Sequence, residues 1–120
     1  MGESRFGDYV RARRESLGKT LRGFAAQVDI APAYLSDIEK GNRPAPKRHL
    51  EKFIEYLAIE GEELDRFYDL VGDENPGGYP DLNDYVTKMA PARIALRRAR
   101  DLSLTEEQWQ RIIDAMGELK

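Results

Sequence analysis

The chain has 120 residues, of which 41% are hydrophobic and 34% charged, and a formal net charge of −3. These values describe a soluble globular chain of one domain, or of one small domain with an appendage. It contains no cysteine, which excludes a disulfide framework and a thiolate metal site. No apolar run approaches the roughly 18 residues of a membrane span. The short polar start predicts no signal peptide, so a cytoplasmic protein is expected.

The N-terminal part of the chain predicts one helix. Residues 1–4 are expected to be disordered, whereas apolar side chains at helical spacing trace one face over residues 6–17. Gly18 is a natural stop for this helix. Three arginines add positive charge to it: Arg11, Arg13 and Arg14.

Residues 20–41 contain two short helical patterns separated by a tight break. Thr20 suits the N-cap of the first, and its apolar face consists of Leu21, Phe24, Ala25 and Val28. The second opens with Pro32, which is acceptable in a first turn because its missing N–H would be unpaired there. Leu35 and Ile38 then point to the core, and Gly41 ends the helix. The two patterns together predict a helix-turn-helix.

Two further helices are predicted before the first break in the chain. Residues 47–58 direct four apolar side chains inward, and residues 62–71 direct four more. Five helices in about 70 residues are enough to close one core. The Gly- and Pro-rich segment 72–80 then forms the only clear linker.

The sequence beyond the linker turns helical again. Apolar residues repeat at helical spacing before Pro91, which either starts a new helix or kinks the old one. Thr105 and Gln108 form a capping-box pattern. The helix after them carries a compact apolar stripe that either covers the N-terminal core or forms an interface with a second chain, with these candidate residues: Trp109, Ile112, Ile113 and Met116.

Four short groups of residues in the predicted helix-turn-helix carry a resemblance to a known family. Phe24-Ala25, Ile30-Ala31-Pro32, Tyr34-Leu35-Ser36 and Ile38-Glu39-Lys40-Gly41 together resemble the DNA-binding domain of the Cro/cI-type (Xre-like) phage and bacterial repressors. The resemblance covers about residues 5–72. It implies an all-α fold with a five-helix lambda-repressor-like DNA-binding domain at 5–72. The rest of the sequence predicts a linker at 73–80 and a helical extension at 81–120 for dimerisation or partner binding.

The chain departs from the pattern of this family at two positions. The turn residue, usually Gly in the family, is Asp29, so a positive φ is expected there, which Asp tolerates better than most residues. The first helix residue, often a polar Gln aimed at a phosphate, is Leu21. Arg22 or Thr20 must then supply that contact.

The resemblance implies a sequence-specific regulator of transcription that binds double-stranded DNA, a repressor acting as a homodimer. Its second motif helix, residues 32–40, would enter the major groove. The base-contact candidates are Pro32, Ala33, Tyr34, Asp37 and Arg43. The phosphate-contact candidates are Lys19, Thr20, Arg22, Lys40, Asn42, Lys47 and Arg48. Residues 1–52 carry eleven Lys/Arg against seven Asp/Glu, and residues 53–120 carry eight against fifteen, an asymmetry that suits a protein meeting DNA with one face.

Catalysis finds little support in the sequence. The single histidine, His49, falls within the predicted fourth helix, and neither phosphate-binding glycine motif is present. We therefore predict no enzyme, no catalytic or metal site and no cofactor. Two alternatives to the repressor remain: an antitoxin-type regulator whose C-terminal helices bind a partner protein, and a helical interaction module that does not bind DNA.

Overall fold

The computed structural model describes residues 5–119, so the predicted disorder of residues 1–4 lies outside the described residues. The described part is all-α, with no strand, and this confirms the predicted fold class. Eight α-helices occur in it, with a 3-10 turn at Lys47–His49 before the fourth: α1 Phe6–Ser16, α2 Leu21–Gln27, α3 Pro32–Glu39, α4 Leu50–Tyr56, α5 Glu62–Asp73, α6 Pro80–Lys88, α7 Ala90–Leu102 and α8 Glu106–Met116.

The chain divides into two compact units, the first ending at Asp81 and the second beginning at Leu82. The division falls inside α6, after its second residue. Helix α5 also continues two residues beyond its predicted end, through Asp73. Gly72 is buried there, and a Cβ at this position would overlap the ring of Tyr79, whose hydroxyl donates to Asp73 at 3.1 Å. The exact domain bounds given above, including the 73–80 linker, stay predictions.

The core of the first unit is built around four phenylalanines. Phe6, Phe24, Phe53 and Phe67 come from α1, α2, α4 and α5, and each is at most 1% exposed. The rings of Phe24 and Phe53 pack edge to face with centroids 5.2 Å apart, as do those of Phe6 and Phe67 at 5.4 Å. Helix α3 adds Leu35 and Ile38. All five helices of the first unit therefore share one core.

Hydrogen bonds at the helix ends explain where α2 begins and where α3 ends. The Thr20 hydroxyl accepts from the Gly23 N–H at 3.0 Å, as expected of an N-cap. After α3, the N–H of Gly41 donates to Ile38 and that of Asn42 to Asp37, which is a Schellman motif with Gly41 at φ 83°. The predicted start and end of this helix are confirmed.

The prediction for the fourth helix was wrong at both ends. Residues 47–49 form a 3-10 turn, and His49 is the N-cap of α4, so it does not lie within the helix. The helix stops at Tyr56 because Ala58 takes the left-handed conformation at φ 52°. The N–H of Ile59 then closes the turn onto Ile54 at 3.0 Å, and the Ile59 side chain is buried. Burial of this side chain ends the helix without a glycine.

One polar contact ties α1 to α5. The Tyr9 hydroxyl donates to Glu63 Oε1 at 2.8 Å. Burial of the ring, together with this hydrogen bond to a carboxylate, raises the pKa of Tyr9 to about 12.

The second unit is held together by local contacts. Pro91 lies in the first turn of α7 and starts a new helix, which decides between the two expectations. Arg93 Nη1 donates to the carbonyls of Val86 and Thr87 at 2.7 and 2.6 Å, which joins the end of α6 to α7. The predicted capping box is confirmed, since Thr105 and Gln108 exchange both hydrogen bonds.

Candidate nucleic-acid interface

The turn between α2 and α3 has the conformation expected for the motif. Asp29 has φ 65°, and Ile30 donates to Ala25 at 3.0 Å, which closes the end of α2. The Asp29 carboxylate pairs with Lys52 Nζ at 2.9 Å on the exposed surface. This hydrogen bond from Lys52 lowers the pKa of Asp29. Asp29 thus replaces the usual glycine without changing the turn.

A buried ion pair fixes α3 to α1. Arg14 donates from Nε and Nη2 to the two carboxylate oxygens of Glu39 at 2.7 and 2.9 Å, and both residues are buried. Arg14 Nη1 also donates to the Lys19 carbonyl at 2.8 Å, just before α2. The hydrogen bonds to Glu39 raise the pKa of Arg14. One guanidinium therefore joins α1, the start of α2 and the end of α3.

Close backbone packing accompanies this ion pair. A Cβ at Gly7 of α1 would overlap the carbonyl oxygens of Ile38 and Glu39. Only glycine lets α1 approach the end of α3 this closely. Neither contact was predicted from the sequence, in which Arg14 was counted among the positive surface residues. The sequence held a signal, because Glu39 follows Leu35 by four residues and so lies on the buried side of the helix.

The outward side of α3 is narrower than predicted. Ala33 and Lys40 are exposed, but Pro32, Tyr34 and Asp37 are half-buried. The sequence predicts Tyr34 and Asp37 as exposed positions of this helix, and for both residues that prediction was wrong. The Tyr34 ring packs against the core and lines a groove of about 370 Å³ together with residues 44–49, Val71 and residues 74–76. The Arg43 guanidinium lies over this ring, 5.3 Å from its centre.

The phosphate-contact candidates differ in whether their side chains already make contacts within the protein. Lys19 donates to Gln27 at 2.8 Å and lies 5.8 Å from the centre of the Tyr56 ring, while the Thr20 oxygen caps α2. The others present exposed side chains in the first unit: Arg22, Lys40, Asn42, Lys47 and Arg48. Arg43 is also exposed, despite its contact with Tyr34. The available cations thus lie around the start of α2 and in the segment after α3.

The arginines of α1 contribute less surface charge than the sequence count implies. Arg13 donates to the carbonyls of Leu57 and Ala58 at 2.8 and 2.9 Å, where it caps the C-terminus of α4. Arg14 is neutralised by Glu39 and Arg11 pairs with Glu15 at 3.2 Å. The positive surface of the first unit therefore depends on the candidates outside α1.

The candidate interface residues of α8 fall into two groups. Trp109 and Ile112 are half-buried, whereas Ile113 and Met116 are 54% and 56% exposed. Within residues 5–119 no helix is long and apolar enough to cross a membrane. Over the same residues, no group of three or more His, Cys, Asp or Glu is placed to hold a metal ion.

A short helix, a left-handed turn and a second helix anchored by buried apolar residues define the helix-turn-helix class of proteins. A family model described as "Helix-turn-helix domain" matches residues 5–67, and the chain belongs to this family. The resemblance to Cro/cI-type regulators is thus confirmed, and the chain is a DNA-binding regulator of this class.

One solved structure is similar to the chain as a whole. It is titled "SinR protein/SinI protein complex", and the identity is 20% over 93% of this chain and 94% of that one, with a TM-score of 0.46. At that score the likeness does not establish a common overall fold. No curated protein sequence matches the chain.

Proposed function

We propose that the chain is a transcriptional repressor that binds a specific double-stranded DNA sequence as a homodimer, with α3 in the major groove and no enzymatic activity. The observation that carries this proposal is the division of α3 into two sides. Leu35, Ile38 and Glu39 anchor one side in the core, while Ala33 and Lys40 leave the other side open. A rigidly held helix with an open side is what readout of base edges requires.

Base readout would come from the start of α3 and from the loop after it. The Ala33 methyl group, with Pro32 beside it, suits contact with thymine methyl groups. Arg43 suits a guanine edge, because its guanidinium can donate two parallel hydrogen bonds. Tyr34 is half-buried beneath Arg43. We therefore assign Tyr34 mainly the role of orienting Arg43, and a DNA contact of its own is secondary. Asp37 remains a candidate to accept a hydrogen bond from the amino group of a cytosine.

Phosphate contacts would position the helix. Arg22 flanks the motif at the start of α2, and Lys40, Asn42, Lys47 and Arg48 flank it after α3. Contacts on both sides of a recognition helix fix its register on the duplex without reading sequence. They also release counterions, so binding should weaken steeply with salt.

Dimerisation would come from the second unit. Two-fold dimers of this class bind half-sites one helical turn apart, about 34 Å. The exposed Ile113 and Met116, with Trp109 beside them, support an interface on α8. Sedimentation should show a dimer that Ile113→Asp dissociates and that the control Gln110→Asp, on the same helix, leaves intact. A wild-type monomer would instead favour the antitoxin-type regulator, in which α8 binds an unlike protein.

Selection from a random pool of duplex DNA tests the proposed function directly. We expect an enriched palindrome. Lys40→Glu should weaken binding to it strongly, because this charge reversal lies at the C-cap of α3, next to the proposed phosphate contacts. Lys88→Glu makes the same change of charge at an exposed residue of α6 and should leave binding unchanged. If no sequence is enriched, or if both variants behave alike, the proposal fails.

A further inference from the structure

Arg5, which precedes α1, lies directly against the end of α3. Its guanidinium covers the Cα of Gly41, where a Cβ would overlap Nη2. Gly41 is favoured by its positive φ in the Schellman motif, and the absence of a side chain also leaves room for Arg5. The start of the described chain is thus brought to the segment that follows the proposed recognition helix.

Arg5 shares a surface depression with two of the DNA-contact candidates. The depression measures about 350 Å³, and Arg5, Asn42 and Arg43 line it together with Gly41, Pro44 and Glu74. Two guanidinium groups and one amide give it a concentration of hydrogen-bond donors. Glu74 is the single carboxylate in its lining.

The Arg5 guanidinium is weakly engaged within the protein. Its ion pair with Asp8 is long, at 4.0 Å, and the Arg5 side chain is 60% exposed. A pair of this kind contributes little and does not compete with a better anion. Arginine matches the oxygens of a phosphate with two parallel hydrogen bonds, so a phosphate is the anion that the donors of this depression suit best.

We propose that Arg5 is a further DNA contact, which binds a backbone phosphate at the depression beside Gly41, next to the base edge assigned to Arg43. This inference rests on the proposed function, because it takes the segment after α3 to face DNA. Glu74 opposes the contact, since its negative charge lies in the same depression. Arg5 and Glu74 therefore set the affinity in opposite directions without reading bases.

Fluorescence anisotropy of the full chain on its selected duplex, measured over a range of salt concentrations, tests this inference. Arg5→Ala should flatten the slope of log K against log[salt] by about 0.9 per half-site and weaken binding roughly five- to tenfold per half-site near 0.15 M salt. Glu74→Gln should tighten binding. Arg11→Ala is the matched control, because Arg11 is an exposed α1 arginine paired with Glu15.

The outcomes separate the inference from the proposed function. If wild-type protein binds steeply with salt but Arg5→Ala keeps the slope of Arg11→Ala, the inference is overturned and the proposed function stands. If wild-type protein binds no duplex, both are overturned. Urea melts of Arg5→Ala should match wild type, because Arg5 makes no side-chain cap on α1. A loss of affinity with an unchanged slope would indicate a structural role and would also overturn the inference.

Discussion

The two units of the chain use the same kind of helix in different ways. Helix α5 of the first unit and helix α8 of the second both carry a regular apolar stripe. In α5 this stripe is buried, with Phe67 fully enclosed. In the second unit Ala99 is the one apolar residue of the described part that is buried, and large apolar side chains stay exposed: Leu82, Tyr85, Met89, Ile94, Leu96, Leu102, Ile113, Met116 and Leu119.

This difference supports separate roles for the two units, DNA binding for the first and association for the second. The first unit closes its own core and needs no partner to hold α3. The second unit leaves large apolar side chains exposed, which supports the interface proposed on α8. We infer that the first unit carries DNA binding and the second carries association, and the following predictions test this division from the largest expected effect to the smallest.

Removing the second unit should cost the most DNA affinity. A chain ending at Asp81 should fold cooperatively, because the four buried phenylalanines all lie before that point. It should be monomeric and should bind the full palindrome at least about 100-fold more weakly, since the two half-sites are no longer linked. Sedimentation and anisotropy on the same duplex measure both effects. A fragment that dimerises as well as the full chain would refute the division.

Arg14→Ala breaks the buried ion pair and should lower the free energy of unfolding of the first unit by about 3–5 kcal/mol. The loss is large because Glu39 would keep a buried charge without a partner. Urea unfolding measures this loss. Arg14→Ala combined with Glu39→Ala should be less destabilised than the sum of the two single variants. Additive losses would show that the two side chains do not interact as described.

Arg22 and Arg43 should matter for DNA and hardly for folding, since both are exposed. Replacing either by Ala should cost about 1–3 kcal/mol in binding. Arg22→Ala should weaken all sequences alike and flatten the salt slope by about one unit, because it removes a phosphate contact. Arg43→Ala should relax the preference at one base pair. Binding measured on a panel of single-base variants distinguishes the two, and identical profiles would contradict the assigned roles.

The left-handed helix ends should give the smallest effects. Ala58→Gly should stabilise the first unit by about 1 kcal/mol, because glycine adopts a positive φ without steric cost. Asp29→Gly should be neutral to mildly stabilising, since the exposed pair with Lys52 offsets part of the same gain, whereas Asp29→Val should destabilise. Ser103, after α7, also has a positive φ, so Ser103→Gly should have the equivalent stabilising effect in the second unit. Equal urea midpoints for the Gly and Val variants at position 29 would show that the turn is misassigned.

Much of the architecture could be read from local sequence signals. Thr20, Pro32, Gly41 and the capping box at Thr105 act on backbone groups within a few residues, so each predicted its helix end correctly. The spacing of apolar residues predicted the helices and most of the core, because helical periodicity is also a local property of the sequence. The positive φ of Asp29 followed from the resemblance, which fixed its place in the motif.

Contacts between distant residues were decided by the tertiary structure alone. Arg14 and Glu39 are 25 residues apart, and sequence spacing gives no means of pairing them. Tyr34 is half-buried because its ring packs against the core and Arg43 lies over it. Ala58 is left-handed because Ile59 must reach the core. The contact between Arg5 and Gly41 also joins residues far apart in the sequence, so only packing reveals it. The sequence by itself determined which helices form and which faces are apolar, whereas only packing in three dimensions decided which of those faces are covered and which cations are left to meet DNA.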